Sequence, residues 1–235
     1  MTVDEVMTEL QANGNESIKK ILLKHGVKEP FFGVKVEYLK KIQKKTKTDY
    51  ELAKGLFETG NADAMYLAGL ITDDAKMTKA ELQHWVELAL SNNIGEYTVP
   101  WVAAGSRFGF ELGLKWIDSG EEGVAASGWA TLANLVALKP DAELDMNALK
   151  SLLTRIEQTI HTSSNRVRYQ MNNFIISVGA YVSPLIADAF ETAKKNGTVM
   201  VDMNGTACKV PAAKDYIKKA RDKNPEGKKK KTVKC

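Results

Sequence analysis

A chain of 235 residues, 44% hydrophobic and 26% charged, is long enough to bury a core without covalent staples. It has only two cysteines, Cys208 and Cys235, with no histidine beside either. This excludes a disulfide framework and a cysteine-based zinc site, and it points to a reducing, cytoplasmic setting. The net charge of +4 is uneven: residues 214–235 carry ten Lys or Arg against three Asp or Glu, which leaves the body before them at −3. Basicity alone therefore does not mark the body for nucleic acid. No apolar run of about 18 residues occurs, so no membrane span is expected. The opening MTVDEVMTELQ lacks the basic start and apolar block of a signal peptide.

Val3, Val6, Met7 and Leu10 repeat at the helical period, and Ile18, Ile21 and Leu22 repeat it in a second helix closed by His25-Gly26. Pro30 to Gly33 form a turn, and Val36, Leu39 and Ile42 line a short lysine-rich helix. Leu52, Leu56 and Phe57, then Ala64, Leu67, Ala68 and Ile71, mark two more. Thr78 with Glu81 is a capping box ahead of Leu82, Trp85 and Val86. Further helices are expected near 96–104, 107–118, 121–138, 145–159, 164–182 and 184–196. Thr198–Asp202 and Thr206–Val210 alternate like strands about Asn204-Gly205, the strongest short hairpin signal. Pro211 opens a last helix over about 212–222, and residues 223–235 read as a basic flexible tail.

This pattern predicts an all-α fold: a solenoid of HEAT/ARM-like helix pairs forming one domain over residues 1–222, with a β-hairpin inserted at 198–210. A compact, non-repetitive helical bundle is the alternative.

Five stretches can carry function. Residues 33–47 hold six lysines, among them Lys40 and Lys41, opposite an apolar face. Such a row suits phosphate binding, and it equally suits a solvated helix face. The junction at 92–107 places Glu96, Tyr97 and Trp101 together, either as an acidic, aromatic pocket or as core around a helix start. Residues 165–181 form a helix with an apolar back and an edge of Arg166, Arg168, Tyr169, Asn172 and Asn173, suited to phosphate or to interhelical hydrogen bonds. The expected hairpin either meets a ligand or caps the helical stack. Lys228, Lys229, Lys230 and Lys231 form a cluster that binds any polyanion or simply solubilises. No P-loop, nucleophile elbow or dinucleotide fingerprint appears, and His25, His84 and His161 stand apart, so no metal and no cofactor is expected.

The run of helix pairs resembles the DNA alkylation repair family, the AlkD-like proteins. The stretches Phe31–Lys41, Ile94–Trp101 and Arg166–Phe174 carry the resemblance. It implies a curved HEAT-like solenoid whose concave face holds duplex DNA. Active members excise N3- and N7-alkylated purines, with a carboxylate stabilising the sugar cation and tryptophans flanking the lesion. Placed on this chain, the family's Trp-Trp-Asp-x-Val-Asp junction falls on Ile94–Val99. The catalytic Asp position is then Val99, and one lesion-flanking Trp position is Gly95. The other Trp falls near Asn173 and the phosphate-clamping Arg near Ser127, while Glu96 keeps an acid at the first acidic position. The resemblance thus implies a monomeric, bacterial, cytoplasmic protein whose partner is duplex DNA, alkylated or distorted. Lys40, Lys41, Arg166, Arg168 and the tail would grip the backbone. An active glycosylase using Glu96, and a HEAT-like protein-interaction scaffold, are the alternatives.

Overall fold

Thr2 opens the first helix, α1 (Val3–Ala12), through a reciprocal capping box with Glu5. Asn15, Asp49 and Asn61 cap α2 (Glu16–Lys24), α4 (Tyr50–Glu58) and α5 (Ala62–Ile71), with α3 (Val36–Thr46) between α2 and α4. The expected box of Thr78 and Glu81 starts α6 (Lys79–Leu88). A π-helical turn, Ile94–Thr98, then runs into α7 (Val99–Gly105). These elements come from a computed structural model that describes all 235 residues.

Contacts divide the chain into two compact units, where the sequence reading has one domain. The first is Met1–Phe108 with Asn204–Thr206 and Lys234–Cys235, and the second is Gly109–Met203 with Ala207–Val233. In the first, α5 is the central helix. It is apolar on nearly every side, and α1, α3, α4, α7 and the π-turn pack around it. Gly69 lets the π-turn approach: a Cβ there would lie 2.4 Å from Cγ2 of Thr98. Phe57 and Trp85 stack face to face at 3.9 Å in the same core.

The second unit holds α8 (Gly109–Trp116), α9 (Glu122–Leu138), α10 (Met146–Thr159), α11 (Asn165–Tyr181), α12 (Ile186–Asn196) and α13 (Ala213–Lys223). Helices α9 and α11 lie along each other, with α8 against α9, and with α12 and α13 against α11. Trp129 meets Phe174 edge-on at 5.4 Å across the α9–α11 contact. No single helix is long and apolar enough to cross a membrane.

One expectation is corrected here. Residues 198–210 contain no strand. Asn204 and Gly205 do turn the chain with φ of 54° and 68°, the sign that a two-residue hairpin turn requires. The backbone of Asp202, however, is tied off by a side chain. Asn165 donates Nδ2–H to the Asp202 carbonyl at 2.9 Å and accepts its N–H at 2.7 Å. Those are the groups a partner strand would have used. The lysine-rich segment after α13 makes hydrogen bonds of its own. Asn224 and Lys228 close a turn on each other, and the Lys230 N–H donates to the Ala137 carbonyl at the end of α9.

Candidate nucleic-acid interface

The lysine-rich helix α3 is set in place by one buried carboxylate. Asp63, at the start of α5, accepts the N–H groups of Phe32 and Gly33 on Oδ2 at 2.7 and 3.0 Å, and that of Val34 on Oδ1 at 3.2 Å. Burial pushes its carboxyl up, and the three donors pull it back. Gly33 supplies the φ of 78° that the loop needs, and a Cβ there would lie 2.6 Å from the Asn15 carbonyl oxygen. The chain thus enters α3 with Leu39 and Ile42 inward and Lys40 and Lys41 exposed, Lys41 lying 4.3 Å from the Tyr38 ring centre. Lys45, on the same helix, is paired to Glu9 at 2.7 Å.

At the π-turn the sequence set splits. Trp101 is core, edge-on to Tyr66 at 5.3 Å and to Tyr97 at 6.2 Å. Tyr97 is 46% exposed, whereas Glu96 is 5% exposed. A π-turn places one extra residue in the helix and often marks a functional position. Here it sends Tyr97 outward and turns Glu96, Thr98 and Val99 inward. Val99, the position matched to the family's catalytic Asp, is 0% exposed, and Gly95 is buried. Ser127, matched to the phosphate-clamping Arg, is also 0% exposed, and its hydroxyl donates to the Gly123 carbonyl of its own helix.

The edge of α11 also divides. Arg166 is half-buried: its amide donates to Glu122 at 2.7 Å, its guanidinium lies 4.7 Å from the Tyr169 ring centre, and Nη1 reaches Met203 sulfur at 4.0 Å. Arg168 is half-buried, with its Nε enclosed and without a hydrogen-bond partner. Asn173 donates to Gln170 at 3.1 Å. Asn172 is 1% exposed and gives its amide to the Pro211 carbonyl at 2.9 Å, so it ties α11 to the start of α13 and reaches no surface ligand.

Of the terminal lysines, Lys228, Lys230 and Lys231 are exposed. Lys229 is engaged: its ammonium lies 2.8 Å from Asp141 and 2.9 Å from the Val136 carbonyl, at the negative end of α9. Lys230 lies 5.5 Å from the Tyr181 ring centre. Sequence reasoning missed Asp63, Asp74, Tyr66 and Asp141. Each works through partners distant in the chain, and no local spacing announces them.

The family model described as DNA alkylation repair enzyme matches residues 6–209. Two relatives, the uncharacterized protein Lmo0209 of Listeria monocytogenes and the uncharacterized protein Lin0241 of Listeria innocua, are each 35% identical over 229 residues, 95% of this chain and 99% of theirs. A solved structure with 35% identity and a TM-score of 0.91 matches all of both chains. It is described as a new family of proteins related to the HEAT-like repeat DNA glycosylases, with affinity for branched DNA structures. The helical fold here is of that HEAT-like kind.

Proposed function

Because this chain belongs to the DNA alkylation repair enzyme family, we propose that it is a DNA-binding member that holds DNA by its phosphates and lacks the family's base excision. The observation that carries this reading is Val99. Excision needs a carboxylate where the sugar cation forms, and at the matched position stands an alkyl side chain with no exposure. Glu96 is an acid in the same turn, but it faces the interior. Cations do remain at the surface: Lys40 and Lys41 on α3, and the half-buried Arg166 and Arg168 on α11. Arginine suits phosphate through its paired donors. Branched or distorted duplex DNA is the substrate class, by analogy with the similar solved protein's affinity. The protein acts as a monomer in the cytoplasm.

The test is binding of a duplex and a four-way junction, followed by anisotropy at about 50 to 200 mM salt. The expected result is tighter binding of the junction, with a salt slope that falls by about 2 when Arg166 and Arg168 are both replaced by Ala. An unchanged slope would remove α11 from the interface. Release of free methylated purine from alkylated DNA, abolished by Glu96→Gln, would restore the enzyme reading.

A further inference from the structure

Lys234 is held as a ligand is held. Its ammonium lies 2.6 Å from Oδ1 of Asp74 and 3.2 Å from the Thr72 carbonyl oxygen. The two charged side chains are only 17% and 21% exposed, so the pair is largely removed from water. Asp74 sits in the loop between α5 and α6, and it fits because residue 105 is glycine: a Cβ there would fall 2.3 Å from its Oδ2. The next residue, Cys235, lies beside the phenol of Tyr66, which packs on Trp101. All of these groups belong to the first unit. Exposed ion pairs contribute little, but a desolvated pair with a second acceptor holds its geometry. Removing either partner leaves the other buried and uncompensated.

We propose that Asp74 and the Thr72 carbonyl form a primary-ammonium site whose ligand is Lys234 of the chain itself, and that occupation of this site withholds the segment after α13 from polyanions. The second half rests on the DNA-binding reading, and the first does not. Within the second unit Lys229 is held on Asp141 in the same manner. In both places a carboxylate of the protein takes the position a phosphate would take. A phosphate partner must compete with those carboxylates, so the apparent affinity of the segment is lowered by the fraction of time it is docked. Once released, Lys229 and Lys234 add their charges to those of the already exposed Lys228, Lys230 and Lys231.

Backbone amide relaxation of residues 232–235 in the full chain tests the site, in wild type, Asp74→Asn, Lys234→Ala and Lys234→Arg. Order parameters near about 0.85 are expected for wild type and the Arg variant, and below about 0.6 for the other two. Lys234→Ala trims a side chain that lies outside the apolar core, and equal order in all four proteins would overturn the ammonium site. Duplex binding tests the withholding, with Asp73→Asn as a control that makes the same charge change without breaking the pair. Asp74→Asn is expected to tighten binding about fivefold, and Asp73→Asn less than about twofold. Equal tightening by both would overturn the withholding. If no protein binds DNA, the functional reading fails, and the relaxation data still decide the site.

Discussion

Asp63→Ala should unfasten the entry to α3. The carboxylate accepts three backbone N–H groups at 2.7, 3.0 and 3.2 Å, and two of these donors, on Gly33 and Val34, belong to buried residues. A buried donor stripped of its acceptor costs about 1–3 kcal/mol, and more where the acceptor was charged. Phe32 is half-buried and can recover a water. Relief of carboxylate desolvation, the effect that raises the Asp63 pKa, offsets part of the loss. The net expectation is about 3–5 kcal/mol. Asp63→Asn keeps an oxygen for Phe32 and Gly33 but turns an NH2 toward the Val34 N–H, and should cost about 2 kcal/mol. Denaturant unfolding followed by tryptophan fluorescence measures both, because Trp85 and Trp101 lie in the same unit as Asp63. DNA affinity should fall as well, since α3 carries Lys40 and Lys41. A cost for Asp63→Ala below about 1 kcal/mol would refute the claim that this carboxylate organises the loop.

Burial pushes the Asp74 carboxyl up to about 6, against the pull of Lys234. Its folded pKa lies above its unfolded one, so the native state keeps the proton between about pH 4 and 6, and stability falls as pH rises through that window. Asp74→Asn should remove a total decline of about 2–3 kcal/mol across that window, and parallel pH profiles for the two proteins would discard the assignment. Gly128→Ala should cost about 3 kcal/mol in thermal or denaturant unfolding, since its Cβ would meet the Ile117 backbone nitrogen at 2.7 Å and the Gly113 carbonyl oxygen at 2.9 Å. On the same helix a Cβ on Gly123 meets nothing within 4 Å, so Gly123→Ala should be neutral or stabilising by about 1 kcal/mol, and equal losses at the two glycines would reject the close α8–α9 approach.

Much of the fold was legible because helical period and caps are local signals. Helices α9 to α12 fall within two residues of the expected ranges, and the Thr78–Glu81 box is present. The errors came where a distant partner decides. The turn at Asn204-Gly205 formed, but Asn165, far back in the chain, took the hydrogen bonds of the expected ladder. Asn172 sits one residue from the half-buried Asn173, and only the docking of α13 on α11 separates a buried tie from a surface group. The terminal lysines read as free because composition counts charges without showing Asp74 and Asp141 folded against them.

The body's net charge of −3 left a protein-interaction scaffold open as a reading, but a sum does not report the charge at any one surface. Many of its carboxylates are already engaged: Asp63 by backbone N–H groups, Glu29 by Lys19, Glu9 by Lys45, Asp118 by Arg155, and Glu157 by Lys195. A phosphate approaching α3 responds to charges within a Debye length, about 10 Å at 0.1 M salt, and not to the total. Near that helix the exposed groups include Lys35, Lys40, Lys41 and Lys44, with Glu37 as the opposing acid on the same helix. Salt dependence of DNA binding counts such local cations. Replacing Lys40 and Lys41 together by Ala should therefore lower the slope by about 2, while neutralising Lys195, already paired to Glu157 at 2.8 Å, should leave it unchanged. If both changes reduce the slope alike, the protein binds through diffuse charge, and no helix face is its interface.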